Sequence, residues 1–384
     1  MFRLSEEHIA FRESIRSFAE ARVAPHAEQA DRDAAFPEQS FEALREAGFA
    51  GVPYPGRVGG DDADPIAQGI LLEELARVCA STSLLVIASK LGAIPIIEWG
   101  SEELAQEVLP GLAAGDYVMS YCLSEAGAGS DVASMSTRAV RDGSDYVISG
   151  AKMWITNAGR SAWYTVFAKT DPDAAHRGIS AFVVPADAPG LSIGKLESKM
   201  GMKGSPTGEV LFDDVRVPKE RLIGEEGRGF YYALGTLDRS RPNIGAQAVG
   251  IAQGAIDAAS SYVDERRQFD QRIVDFQAIQ FMIADAVMNI EAARGLVYSA
   301  LSEVMVKGPR MTELGAMAKC FAADVAMAVT TDAVQMLGGY GYTTDFPVER
   351  MMRDAKLCQI YEGTNQVQRG VVARQYLAGR GIKT

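Results

Sequence analysis

The chain has 384 residues, and a single hydrophobic core rarely supports a chain of this length. Two or three domains are therefore expected. Its composition, 47% hydrophobic and 23% charged residues, is typical of a soluble globular protein, and the net charge of -12 argues against partners such as nucleic acid or an anionic membrane. The chain contains only three histidines, which argues against a histidine zinc site and against a Ser-His-Asp hydrolase. The chemistry is therefore expected to use carboxylates or a cofactor.

The first part of the chain, from Ser5 to about Tyr117, predicts helices separated by loops that contain glycine and proline. Its start has no apolar stretch of the signal-peptide kind, and the segment "SLLVIASKLGAIPII" is interrupted by Lys90, Gly92 and Pro95, so no membrane span is expected. The four cysteines of the chain are scattered, with no CxxC pair and no metal spacing. They indicate small buried side chains in a reducing compartment, and hence a cytoplasmic protein.

A glycine-containing loop, "YCLSEAGAGSD" (Tyr121–Asp131), follows the helical region. Gly127 and Gly129 allow the backbone to approach a ligand closely, and Ser124 and Ser130 add hydroxyl groups. A Gly-Ala-Gly-Ser run alone is weak evidence, because most such runs are ordinary turns.

From about Val118 the hydrophobic period shortens to two, which predicts short strands in a β-domain that ends near Arg228. These strands are "DYVISGAKMWITNA", "WYTVFAKT", "GISAFVVPA", "LSIGKLES" and "GEVLFDDVRVP", with a turn at Asp142-Gly143. In "KMWITNAG", Trp154 offers an aromatic face and Thr156 a hydroxyl, as a flavin ring would require. Taken by itself, Trp154 is better explained as a tryptophan of the β-domain core.

Longer helices return after Phe230, where apolar residues such as Ile244, Ala248 and Ile251 recur at mostly three- and four-residue steps. Many small residues on these helices favour the close packing of a helix bundle. Near the end, "QIYEGTNQVQ" places Glu362 between a tyrosine and a glycine, just before Thr364 and Asn365, both good helix N-caps. Glu362 is therefore predicted to be held at the end of a loop, before the helix "NQVQRGVVARQYL". The local pattern leaves open whether it is an ordinary loop residue or a base.

Together, "YCLSEAGAGSD", "KMWITNAG" and "IYEGTNQVQR" occur with the order and spacing of the acyl-CoA dehydrogenase family, which this sequence resembles over nearly its whole length. The segments "LDRSRPNIGAQAVGIAQGAIDAA", "ERRQFDQRIVDFQAIQF" and "QMLGGYGYTTDFPVERMMRDAK" also resemble that family. The resemblance implies a mainly α fold with a central β-domain: an N-terminal α-helical domain (1–117), a small β-barrel (118–228) and a C-terminal four-helix bundle (229–384). It also implies FAD as cofactor and no metal.

The implied reaction is α,β-dehydrogenation of a saturated acyl-CoA to the trans-2-enoyl-CoA, in which Glu362 takes the α-proton and the β-hydride passes to flavin N5. Electrons would leave through an electron-transfer flavoprotein, and the protein would be a homotetramer built as a dimer of dimers. The FAD contacts carried over by position are Tyr121, Cys122, Leu123, Ser124, Gly129, Ser130, Trp154, Ile155, Thr156, Arg266, Gln268, Phe276, Gln277, Gln335, Gly338, Gly339, Thr364 and Gln366. Of these, the resemblance implies that Arg266, Gln268, Phe276, Gln277, Gln335, Gly338 and Gly339 hold the adenine half of an FAD that belongs mostly to another subunit. The substrate contacts are Ser130, Asp238, Arg241, Tyr361 and Gly363.

Two positions depart from the family pattern: Ala126 replaces the usual proline, and Asp270 stands where glycine often follows "RQF". Some branches of the family carry the base at the position of Ser240 instead, and serine cannot serve as a carboxylate base. The base at Glu362 favours straight-chain or simple short-branched substrates over the isovaleryl type.

Several alternatives remain open at the level of sequence. The "RRQF" stretch could be a solvated helix end. The same fold is shared by flavin oxidases and monooxygenases, and the acyl group could be carried by a carrier protein instead of CoA. A non-catalytic protein that binds FAD or CoA, or a purely structural helical oligomer, is the alternative from another functional class.

Overall fold

The computed structural model describes residues 3–382, and helices precede and follow a central sheet. The first helices are α1 (Glu6–Phe18), α2 (Ala24–Arg32), α3 (Glu38–Glu46), α4 (Pro65–Val78), α5 (Ala80–Trp99) and α6 (Glu102–Ala114). Ser5, Asp64 and Ser101 cap α1, α4 and α6 with side-chain oxygens that accept main-chain N–H groups. The helical start that the sequence predicts is confirmed.

The central sheet contains β1 (Val118–Cys122), β2 (Arg138–Asp142), β3 (Asp145–Thr156), β4 (Ser161–Lys169), β5 (Ile179–Pro185), β6 (Leu191–Leu196) and β7 (Thr207–Val217). The strands lie in the order β1-β4-β2-β3-β7-β6, and β5 pairs with β4. The sheet is mixed, because β1 and β2 run parallel to β4 while the remaining pairs are antiparallel. The predicted turn at Asp142-Gly143 joins β2 to β3, with Gly143 at φ 64°.

After the sheet come α7 (Gly229–Glu265), a short hairpin of β8 (Arg267–Gln268) and β9 (Gln271–Arg272), and then α8 (Gln277–Met305) and α9 (Met311–Leu337). The last helices are α10 (Val348–Cys358) and α11 (Asn365–Ala378). These positions confirm the predicted fold class, a mostly helical protein with a central sheet.

One hydrophobic core is shared by the two helical regions, although they are far apart in sequence. Leu71 and Leu75 of α4 belong to the same buried cluster as Ile244 of α7 and Val297 of α8. Helix α7 approaches α4 so closely that a Cβ on Gly250 would lie 2.1 Å from the Glu73 carbonyl oxygen. Glycine is therefore required at this crossing, and the crossing fixes where α7 lies relative to the N-terminal helices.

Two helical stretches, Ala80–Trp99 and 311–342, are long and apolar enough to cross a membrane by length and composition alone. Of their most apolar windows, 83% and 61% are buried inside the protein, which is the burial of core helices. All four cysteines are also buried and unpaired, as expected for small apolar side chains. Residues 3–382 contain no group of three or more histidine, cysteine or acidic side chains arranged to hold a metal ion.

Candidate active site

Glu362 lies on a tight turn between α10 and α11, where the sequence predicts a loop. Its φ is 50° and that of Gly363 is 93°, so two successive residues adopt the left-handed conformation. This conformation costs a non-glycine residue about 1–3 kcal/mol and persists only where the surroundings enforce it. The φ of Gly363 favours glycine at the second position, where a Cβ would also lie 2.2 Å from Gln368 Nε2. Thr364, and not Asn365, is the N-cap of α11, since its side chain accepts a hydrogen bond from Val367 N (3.3 Å).

The carboxylate of Glu362 is enclosed but only half satisfied. Its Oε1 accepts a hydrogen bond from Ser240 Oγ (2.9 Å), whereas its Oε2 is buried and has no hydrogen-bond partner among residues 3–382. Burial raises the pKa of Glu362 to about 7, against the opposing effects of the Ser240 hydrogen bond and the positive charges of Arg241 and Lys319. Glu362 is thus a stronger base than a surface glutamate and has one oxygen free to accept a proton.

Two tyrosines border this carboxylate. Tyr361 donates a hydrogen bond to Gln247 Oε1, and Tyr121, at the end of β1, donates to the Ala233 carbonyl (3.3 Å). The pKa of Tyr121 is raised well above its usual value by burial and by the negative charge of Glu362. The glycine-containing loop therefore begins beside Glu362, as the predicted site requires.

Arg241 connects the turn to α7. It is buried, donates to Asp238 Oδ1 and lies 3.4 Å from the Glu362 carbonyl oxygen. Thr312 donates to the other carboxylate oxygen of Asp238 (2.6 Å). The structure therefore brings together Glu362, Arg241 and Asp238, and it commits the carboxylate of Asp238 to other partners.

The loop at Tyr121–Asp131 is tied to strand β3 by a buried ion pair that the sequence motifs did not reveal. Lys152 Nζ donates to Glu125 Oε1 (2.9 Å) and to the Leu123 carbonyl (3.1 Å), and neither charged side chain is appreciably exposed. Although burial acts to raise it, the pKa of Glu125 is lowered to about 2 by Lys152 and by hydrogen bonds from Thr137 and Ser136. Glu125 lies in the motif "YCLSEAGAGSD" and Lys152 in the motif "KMWITNAG". A lysine in the otherwise apolar strand "KMWIT" was the feature of the sequence that could have indicated a buried ion pair.

Trp154 is 58% exposed and has a φ of 63°, so it is not a core tryptophan. The pairing of β3 with β7 shifts register between Lys152 and Ile155, and this bulge turns the Trp154 side chain outward. By contrast, the side chains of Cys122, Leu123 and Ile155 are buried in hydrophobic clusters. These three residues could therefore offer a cofactor only main-chain atoms.

These features fit a flavin. A Cβ added to Gly127 or Gly129 would meet no protein atom, so the loop faces open space. The exposed indole of Trp154 and the partly buried Thr156 lie on the strand to which this loop is tied. Ser130 is exposed on the same loop, and Gln366 is exposed at the start of α11, four residues after Glu362.

The residues predicted for the adenine half lie elsewhere, at the far end of α7. Arg266 follows this helix, and its guanidinium lies over the ring of Tyr340 (5.7 Å), next to Gly338 and Gly339. At 1.5 Å per residue, the distance along α7 from Arg241 to Arg266 is about 37 Å. The remaining members of this set are exposed or partly buried near that end: Gln268, Phe276, Gln277 and Gln335.

Comparison with known proteins agrees with this architecture. Family models for the N-terminal, middle and C-terminal domains of acyl-CoA dehydrogenases match residues 5–116, 120–215 and 227–377. The probable acyl-CoA dehydrogenase FadE25 of Mycobacterium tuberculosis is 55% identical over 377 residues, covering 98% of this chain and 97% of the relative.

Two solved structures superpose closely. The butyryl-CoA dehydrogenase of Megasphaera elsdenii has a TM-score of 0.95 at 39% identity, covering 98% of this chain and 100% of that one. A chain from a study of the electron transferring flavoprotein of Acidaminococcus fermentans has a TM-score of 0.96 at 45% identity, covering 98% and 99%. The chain therefore belongs to the acyl-CoA dehydrogenase family of flavin-dependent oxidoreductases.

Proposed function

We propose that the protein converts a saturated acyl-CoA to its trans-2-enoyl-CoA, with Glu362 as the base that takes the α-proton. The observation that carries this proposal is the enclosed, unpaired Oε2 of Glu362 on a strained turn beside the glycine-containing loop. When bound, FAD supplies the oxidant that accepts the hydride from the β-carbon. Residues 121–130, 154–156, 364 and 366 would hold the flavin half of FAD.

The protein's own residues prepare the proton transfer. The α-proton of a thioester is a weak acid, so the base must lie within hydrogen-bond reach and the developing enolate oxygen must be stabilised. The main-chain N–H of Glu362 is the proposed donor to that oxygen. Bound acyl chain would exclude water from the enclosed carboxylate and strengthen it further as a base. Arg241 and Asp238 would border the thioester from α7, together with Tyr361, Gly363 and Ser130.

The decisive experiment is an anaerobic titration of the purified protein with butyryl-, isobutyryl- and octanoyl-CoA, followed by the flavin absorbance. The protein is expected to be yellow, to release about one FAD per chain when denatured, and to bleach with at least one of these thioesters. Parallel samples with the same acyl groups on a carrier protein test the alternative thioester. A colourless protein would favour a non-catalytic role and would contradict the proposal.

An electron-transfer flavoprotein is the proposed electron acceptor, and one similar structure comes from a study of such a protein. The identity of the electron acceptor can be tested by comparing turnover with oxygen alone and turnover with the partner flavoprotein. Turnover is expected to be slow with oxygen alone, because the bound product shields the site, and fast once the partner flavoprotein is added. Rapid turnover with oxygen as sole acceptor, releasing peroxide, would move the assignment to oxidase.

The proposed location of the protein in the cell is the cytoplasm.

Oligomerisation is expected to complete the cofactor site. Arg241, which contacts the turn of Glu362, and Arg266 lie about 37 Å apart along α7. The family resemblance assigns the adenine-side residues to the cofactor of a second subunit, and their distance from this turn supports that assignment. Large apolar side chains are exposed on α8 and α9, including Phe281, Met288 and Phe321, as expected of surfaces that pack in an assembly. Light scattering should give a tetramer. A monomer with full FAD occupancy would reject this arrangement.

The hydrogen bond from Ser240 should tune the base. Because it stabilises the ionised form of Glu362, Ser240→Ala is expected to raise the pKa of Glu362 above about 7, by about one unit. Since only ionised Glu362 accepts a proton, the rate of bleaching should rise with pH through this pKa, and at pH 7 it should fall several-fold in the variant. Stopped-flow bleaching between pH 5.5 and 9 measures both effects.

The matched control is Ser302→Ala on α8, whose hydroxyl bonds only to the Tyr298 carbonyl within its own helix (2.9 Å). This variant should leave the midpoint of the pH profile unchanged. An unchanged midpoint in Ser240→Ala as well would show that its hydroxyl does not act on the base.

A further inference from the structure

A buried lysine on α9 contacts the turn that carries the base. Lys319 has no exposed surface, and its Nζ donates to the Gly363 carbonyl (2.8 Å) and to Asn365 Oδ1 (2.9 Å). Lysine is almost never fully buried unless it is paired. Here its partners are the residue after Glu362 and the first residue of α11, so the ammonium group lies against the inner side of the turn.

The other side-chain contacts to the carbonyl oxygens of Glu362 and Gly363 are longer. Gln368 Nε2 lies 3.3 Å from the carbonyl oxygens of both Glu362 and Gly363, and Asn365 Nδ2 donates to the Cys320 carbonyl on α9 (3.1 Å). Two successive left-handed residues must be held by their surroundings. Lys319 supplies the shortest side-chain contact to the backbone of this turn (2.8 Å), whereas the other cation, Arg241, lies 3.4 Å from the Glu362 carbonyl oxygen.

Charged and titratable groups surround Glu362 on several elements. Arg241 approaches from α7 and Lys319 from α9, whereas Tyr121 on β1 and Tyr361 beside it are neutral because burial raises the pKa of each. Burial also raises the pKa of the Cys358 thiol, to about 12, while Asp238 is paired with Arg241. Burial lowers the pKa of Lys319 to about 8, partly offset by the negative charge of Glu362, so its ammonium persists at neutral pH.

We propose that Lys319 is a positioning residue for the base: its ammonium holds the Glu362–Gly363 turn in the left-handed conformation, and its charge favours the ionised carboxylate. This inference rests on the proposed role of Glu362 and adds to it a fully buried residue that acts through the backbone of the turn. The contact joins the middle of α9 to a turn 44 residues later, so no local pattern in the sequence reveals it.

The test compares Lys319→Met and Lys319→Gln with wild-type holoenzyme in anaerobic stopped-flow bleaching by butyryl-CoA between pH 5.5 and 9. Lys319→Met removes both the donor and the charge, so the rate at pH 7 is expected to fall by about 10²-fold through misplacement of the carboxylate. The midpoint of the pH profile should rise by about one unit with the loss of the cation. Lys319→Gln keeps a donor and should retain more of the rate while showing the same shift in midpoint.

The matched control is Lys90→Met. Lys90 lies on α5, donates to the Pro53 carbonyl, and has a pKa that burial also lowers to about 8. This variant should leave the midpoint unchanged, and an equal shift in it would overturn the proposal. So would a Lys319→Met enzyme whose rate and midpoint match the wild type. If Lys319→Met does not fold, Lys319→Gln decides by the shift in its midpoint.

A second readout does not depend on turnover. In protein with ¹³C-labelled glutamate carboxyl groups, the signal absent from Glu362→Gln identifies Glu362, and its titration gives the pKa directly. If none of the thioesters bleaches the flavin of the wild-type protein, the proposed function is refuted. If the pKa of Glu362 is the same in the Lys319 variants as in the wild type, only this inference is refuted.

Discussion

Glu362→Gln is expected to lower the rate of flavin bleaching by about 10⁴-fold or more, while folding, FAD content and acyl-CoA binding survive. Glutamine keeps the size of the side chain and can still accept the hydrogen bond from Ser240, but it has no basic oxygen. The loss of a general base alone typically costs 10²–10⁴-fold, and the thioester α-proton is unusually unreactive. Stopped-flow bleaching under anaerobic conditions measures the rate, and retained FAD absorbance shows that the fold is intact.

The surroundings offer no substitute for this base. Asp238 is engaged by Arg241 and Thr312, and Glu125 is held ionised by Lys152 with a pKa of about 2. Glu362→Asp should retain part of the activity, because its carboxylate is withdrawn by one methylene from the substrate. Glu28→Gln, at an exposed position on α2, is the control and should bleach normally. Bleaching near the wild-type rate in Glu362→Gln would place the base elsewhere.

The second large effect is expected from Lys152→Met. This change leaves Glu125 buried without its cation, and breaking a buried ion pair by removing one partner typically costs about 3–5 kcal/mol. The loop at Tyr121–Asp131 also loses a tie to β3, so FAD affinity should fall together with stability. Chemical denaturation and fluorescence titration of the apoprotein with FAD measure the two effects separately.

A double variant tests the cause of this instability. Lys152→Met combined with Glu125→Gln removes the stranded charge, so it should be more stable than Lys152→Met alone. Arg216→Met, which breaks the exposed pair with Asp142 in the same sheet, is the control and should have little effect. Stability of Lys152→Met close to the wild type would show that the buried pair does not hold the loop.

Local sequence pattern predicted most of the helical regions, five of the strands and the loop setting of Glu362. Alternation with period two predicted β3 to β7, and three- and four-residue spacing predicted the long helices, because both patterns depend on neighbours within a few residues. The position of Glu362 before a capped helix follows from the same local signals. Family resemblance, carried by three motifs, pointed to the reaction class.

Only the tertiary structure decided which distant side chains meet. Ser240 and Glu362 are 122 residues apart, and Lys319 meets the turn only because α9 packs beneath it. The parallel pairing of β1 with β4 and the outward turn of Trp154 at a bulge likewise depend on neighbouring strands, not on local alternation. Sequence periodicity states which face of an element is apolar. The contacts that tune Glu362 depend on how whole helices pack, which is set by the shared core and by close crossings such as that at Gly250.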